Sequence, residues 1–121
     1  MANPNVVNVA TISGKTQGHN ATTTPSSIVT NSSGSGKLVK INSVYVSNID
    51  GAVAASVTLT FEDSSASGSY ALVNTVSVPA DATLVVISKN ESIYLEEGDS
   101  INCSASVDGD LQVVVSYEEI S

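Results

Sequence analysis

The chain has 121 residues, 41% of them hydrophobic, with one Phe, four Tyr and no Trp, so it has the length of one domain and a core built mainly from Val, Ile, Leu and Ala. Twelve acids against four lysines and no arginine give a formal charge of -8. That balance excludes a nucleic-acid binder, which neutralises phosphates with Lys or Arg, and disfavours an anionic membrane surface, while it favours solubility.

β-branched residues prefer pleated sheet, and Ser and Thr, about a quarter of the chain, suit its wet faces and turns. The start, Met1-Ala2-Asn3-Pro4, has neither a basic region nor an apolar run, and no stretch reaches membrane-span length, so synthesis and assembly in a cytoplasm are the expectation. Residues 1–36 differ in texture from the rest and are expected to form an N-terminal arm or edge segment. Within them Asn5 to Ser13 alternates weakly as one strand, and Gly14 to Asn20 is turn-like in composition. Ala21 to Thr30 forms a second strand interrupted near Pro25, and Asn31 to Gly36, NSSGSG, reads as a linker or hairpin loop.

Strong periodicity begins at Lys37 and defines a core over residues 37–121. From Lys37 to Asn48 the apolar phase switches, Val39 and Ile41 against Val44 and Val46, which calls for a bulge near Asn42 or a strand buried on both sides. Asp50-Gly51 turns the chain. Ala55, Val57, Leu59 and Phe61 then alternate with polar residues through Glu62, giving one dry and one wet face. After the loop Asp63 to Ser69, Tyr70, Leu72, Val76 and Val78 share a face opposite Val73, Thr75 and Ser77, and Pro79 ends the strand. Further strands are expected at Thr83–Ser88, Ser92–Leu95, Asp99–Ser106 and Leu111–Glu118, separated by turn residues such as Glu96-Glu97-Gly98-Asp99 and Asp108-Gly109-Asp110. About eight short antiparallel strands predict an all-β sandwich, jelly-roll or immunoglobulin-like.

Candidate chemistry is sparse. Asp99, Asp108 and Asp110 are weak Ca²⁺ candidates, because a hard cation wants converging carboxylates, yet Asp-Gly and Glu-Gly are also ordinary hairpin chemistry. Cys103, in phase with Ile101 and Ala105, reads as a small buried hydrophobe on an inner strand face. No base signature accompanies it, and no disulfide partner exists in the chain. The pairs Glu96/Glu97 and Glu118/Glu119 lack the aromatic sugar platforms of a glycosidase. Gly14-Lys15-Thr16 lacks the upstream Gly and following helix of a phosphate loop, and the N-x-Ser/Thr sequons at Asn20, Asn31, Asn90 and Asn102 carry no weight without a secretory signal. An enzyme is not expected, nor a cofactor. Candidate partner-interface residues are Val6, Val7, Val9, Ile12, Ile28 and Val29 in the arm, with Tyr45 and Tyr94 on strands; Tyr117 reads as half-buried core.

The segments Ile12 to Thr16, Lys40 to Gly51, Val78 to Ile87 and Ile93 to Ser100, in that order, resemble the small virion structural proteins of tailed phages, especially marine and cyanobacterial ones. The resemblance covers most of the chain and rests on turns and strands. It implies a β-sandwich component of the particle: a capsid decoration or cement protein bridging capsid subunits, or else a neck, tail or fibre part. It also implies a major capsid protein or other virion protein as partner, self-association, and a place in the virion after assembly in the host bacterial cytoplasm. A carbohydrate-binding or adhesion module is the alternative from another class, weakened by the scarcity of aromatics.

Overall fold

The computed structural model describes residues 10–121. Nine strands appear in chain order: β1 (Ile12–Asn20), β2 (Ser26–Thr30), β3 (Leu38–Asn48), β4 (Ala55–Asp63), β5 (Gly68–Val78), β6 (Thr83–Ile87), β7 (Ile93–Leu95), β8 (Ser100–Ala105) and β9 (Leu111–Ile120). One turn of 3-10 helix, Lys89–Glu91, lies between β6 and β7. Every strand pair is antiparallel, and the pairs are nested: β1 with β9, β2 with β8, β3 with β6 and β7, β4 with β5. This is one long hairpin ribbon rolled over on itself. Rolling joins β9 to β3 and β8 to β4, giving one sheet in the order β1-β9-β3-β6, with β7 also on β3, and a second in the order β2-β8-β4-β5. The sandwich is therefore a jelly roll, which resolves the choice that alternation leaves open.

The core follows from strand faces. β4 presents Ala55, Val57 and Leu59 inward, and β8 presents Ile101, Cys103 and Ala105, all buried. The phase switch in β3 is a bulge: its register with β9 shifts between Ile41 and Ser43. One extra residue there puts Val39, Ile41, Val44 and Val46 on the same inner face, all buried. β5 is bulged as well, with register shifts opposite Val57–Thr60 and Thr75 at φ 52, its N–H donating to Thr58 Oγ1 at 3.0 Å. Those shifts turn Val73 toward the core alongside Leu72.

Of the arm or edge segment expected before Lys37, the described residues form edge strands. Residues 14–20, turn-like in composition, continue β1 and pair with β9 along its length, because a partner strand outweighs weak local propensity. β1 and β2 each end a sheet, yet Ala21, Ile28 and Val29 belong to the core cluster, so residues 12–36 are part of the sandwich. Residues 1–9, including Val6, Val7 and Val9, lie outside the described residues.

Two buried asparagines tie the loops to this frame. Asn31 donates to the carbonyls of Lys37 and Leu95, each at 2.9 Å, and accepts from the Ser35 hydroxyl. Asn48 donates to the carbonyls of Val53 and Val78, each at 2.9 Å, and accepts from the Asp50 N–H. Asn31 is thus a loop clasp rather than part of a flexible linker. Replacing Asn48 with Ala leaves buried carbonyls unpaired and is expected to cost about 1–3 kcal/mol, read from urea or thermal unfolding. Deleting residues 1–36 is expected to abolish cooperative thermal unfolding followed by circular dichroism; a soluble, cooperatively folding 37–121 fragment would show that the sheets close without β1 and β2.

Candidate contact surfaces

The outer faces of the two sheets differ in chemistry. On the sheet containing β3, Tyr45 lies directly opposite Val85 of β6 and Val114 of β9, and Val114 lies opposite Gly18 of β1. Val85, Tyr45 and Val114 are 51%, 40% and 41% exposed, so a continuous apolar row crosses three strands in solvent. Polar pairs border it. Ser47 meets Thr83 at 3.0 Å and Gln112 donates to Asn20 at 3.2 Å on one side, and Thr16 meets Ser116 at 3.0 Å on the other. On the other sheet, Ser27 donates to Asn102 at 2.8 Å, and Thr60 and Ser69 both donate to Glu62, at 2.7 and 2.6 Å. That face is hydroxyl-rich and satisfied within itself; the hydrogen bonds from Ser69 and Thr60 hold the Glu62 carboxyl below its ordinary pKa.

A second apolar feature opens between the sheets where β5 and β7 end them. Phe61, Tyr70, Ala71, Leu72, Ile93 and Tyr94 line a cleft of about 190 Å³. The Tyr70 ring lies over Gly68, where a Cβ would come within 2.7 Å of it, so glycine is needed for the ring to rest there.

The acids act as braces. Asp99, buried, accepts from the N–H groups of Ser64 at 2.9 Å and Glu96 at 3.1 Å, and Glu97 accepts from Gly34 and Gly36, each at 3.1 Å. Asp108 accepts from the Thr23 N–H at 2.7 Å. Asp99 stands before β8, whereas Asp108 and Asp110 follow it, so the three Ca²⁺ candidates sit at opposite ends of a strand and do not converge. Among the described residues no cluster of three metal-binding side chains occurs. His19 Nε2 and the Ser26 hydroxyl lie 3.0 Å apart and join β1 to β2; among the described residues no carboxylate is hydrogen-bonded to the ring, so the pair lacks the orienting acid of a triad. Cys103 is buried, and burial pushes its thiol up to about 11, far from a thiolate nucleophile at neutral pH.

Of the candidate interface residues, Ile12, Tyr45 and Tyr94 are exposed, on β1, on the apolar row and at the cleft. Ile28 and Val29 are not: the bulge between Ser27 and Val29 turns both inward, and they are 2% and 4% exposed. Tyr117 is half-buried against the core, with its hydroxyl donating to Gln17 at 3.3 Å. Sequence reasoning missed Val85 and Val114 as surface residues. Their signal was present in the unbroken runs Leu84 to Ile87 and Val113 to Val115, which are apolar on both faces of a strand.

No known protein family matches the chain, and no curated protein matches it. A solved structure from Bacillus endospore appendages, described as a novel family of disulfide-linked pili, is similar with a TM-score of 0.53 and 13% identity, over 92% of this chain and 87% of that one. At that identity the likeness shows a shared fold. Among the described residues no helix is long and apolar enough to cross a membrane.

Glu119 supplies a pH handle. It accepts from Lys15 at 3.0 Å and Lys37 at 3.3 Å, and the hydrogen bond from Lys15 leads in holding its pKa below the ordinary 4.5. A carboxyl lowered in the folded state adds stability above its unfolded pKa and loses it as pH falls through the folded value. Glu119→Gln is therefore expected to flatten the fall in melting midpoint below about pH 4.5, with little change at pH 7 beyond the small loss of an exposed ion pair. An unchanged acid limb would show that this carboxylate does not contribute.

Proposed function

We propose that this chain is a non-enzymatic structural subunit that acts by docking its outer sheet face on other proteins of an assembly, and that the assembly is a tailed-phage virion, with the head as the site decorated. The exposed row Val85–Tyr45–Val114 carries this reading: a flat apolar strip with satisfied polar borders is shaped for a partner surface, with an aromatic at its centre. The polar chemistry agrees, since the buried acids Glu97 and Asp99 brace turns. The order of turn and strand motifs supports the virion setting, with the major capsid protein as partner. Added contact area between neighbouring capsomers would resist internal pressure from packaged DNA.

A second reading, a neck, tail or fibre component, draws support from the fold shared with a filament-forming appendage subunit. Covalent linkage of the pilus kind does not transfer. The single cysteine in these 121 residues is buried in the core, out of reach of a partner's thiol.

Quantitative mass spectrometry of purified virions is expected to find on the order of hundreds of copies per particle, whereas about a dozen would place the chain at the neck or tail. Absence from the particle would overturn the virion reading. Tyr45→Lys is expected to weaken co-sedimentation with heads by about tenfold or more while leaving the fold intact, since the side chain already faces solvent.

A further inference from the structure

Strand β1 is the least supported element of the sandwich. Seven of its nine residues are exposed and none is buried, so neither face is covered, and β9 is its only partner strand among the described residues. Its register with β9 nevertheless runs unbroken from Ile12 to Asn20. The other edges are blunted. β2 is five residues long, follows Pro25 and is bulged; β5 is bulged at Thr75; β6 and β7 are short and separated by a helical turn. Long regular edges are the ones that template pairing with another chain.

Two further observations bear on the same edge. Gly14 and Gly18 sit inside the strand where glycine is costly, yet neither has positive φ, no bulge interrupts the register, and a Cβ at either position would meet nothing within 4 Å. Nothing in the single chain requires them; a glycine inside a strand marks the close approach of another backbone. The hydrogen bonds fix which groups are left over. Thr11 and Ser121 exchange N–H···O bonds at 2.9 Å, and Ala21 donates to Leu111 at 3.0 Å. With alternation along an antiparallel ladder, the odd-numbered residues of β1 bond β9, and Ile12, Gly14, Thr16, Gly18 and Asn20 turn their N–H and C=O groups outward.

We propose that two copies of this chain pair antiparallel through β1, about a two-fold axis at Thr16. The segment ISGKTQGHN is self-complementary in that register. Thr16 faces its mate, Gly14 faces Gly18 and Ile12 faces Asn20, so every outward backbone group is matched, in about ten hydrogen bonds. Lys15 faces Gln17 and is held by Glu119 of its own chain at 3.0 Å, so no like charges oppose one another there. Opposed glycines leave the outer face of the seam bare beside the central Thr pair, so two twisted sheets join without side-chain collision. The axis is normal to the joined sheet, which sets both apolar rows on one side. The pairing thus doubles the surface that the proposed function assigns to a partner, but it does not depend on what that partner is.

Thr16→Cys in the full chain tests the register. Opposed residues of a hydrogen-bonded pair have Cα atoms about 5.5 Å apart, within disulfide reach, and Cys103 is buried and does not compete. At about 10–100 µM protein, mild oxidation is expected to give a covalent dimer with Thr16→Cys. It is expected to give none with Ile12→Cys, whose mate lies about 26 Å away along the strand. Thr16→Pro removes an outward N–H without touching the ladder to β9, and is expected to lower the weight-average mass in sedimentation to that of a monomer while circular dichroism stays native. A folded Thr16→Cys protein that stays monomeric on oxidation, equal cross-linking by Ile12→Cys, or a folded Thr16→Pro protein that sediments as wild type would each overturn the proposal. Should Thr16→Pro fail to fold, the cysteine pair decides. A wild-type chain that sediments as a monomer at these concentrations and still binds heads would sink this pairing and leave the virion reading standing.

Discussion

Everything in the sandwich depends on the inner face of β3, and that face exists because the strand carries one extra residue at Asn42. Without the bulge, Val39 and Ile41 would face one way and Val44 and Val46 the other, and half of these side chains would point into water. With it, four aliphatics line up over β4 and β8, where Val57, Leu59 and Ile101 are fully buried. A chain without Trp and with a single Phe has no large side chain to fill errors of register, so small β-branched residues must meet closely across the whole interface.

Around that core, polar groups are spent on holding loops. Asn31 and Asn48 each reach two carbonyls, and Glu97 and Asp99 gather backbone N–H groups from residues 34, 36, 64 and 96. Buried polar atoms are tolerated when they are paired, and among the described residues no buried side-chain nitrogen or oxygen lacks a partner. The carboxylates of Glu97 and Asp99 are each taken up by two backbone N–H groups of the turns they brace, so these acids hold loop geometry.

The two sheets then divide the remaining work. One outer face is a hydroxyl lawn bonded within itself, and the other bears an apolar row ending at the bare strand β1. The proposed function makes the second of these the contact side and the first the wet side.

Alternation alone placed β4, the later strands to within a residue or two and the burial of Cys103, because the period of two is written directly into residue types; in β3 it left a bulge or a strand buried on both sides, and the register with β9 decided for the bulge. It failed where pairing outweighs composition. Residues 14–20 look like a loop because two glycines and polar side chains carry no β preference, and only the ladder from β9 makes them a strand. Ile28 and Val29 looked available to a partner until the bulge beside them turned both inward. The apolar row was equally hidden, since Val85, Tyr45 and Val114 lie far apart along the chain and become neighbours only through register. By itself the sequence determined an all-β, disulfide-free domain with little catalytic equipment. The jelly-roll order, the exposed apolar row and the open edge were decided by which strands pair, a choice made by non-local hydrogen bonds and burial that no local window contains.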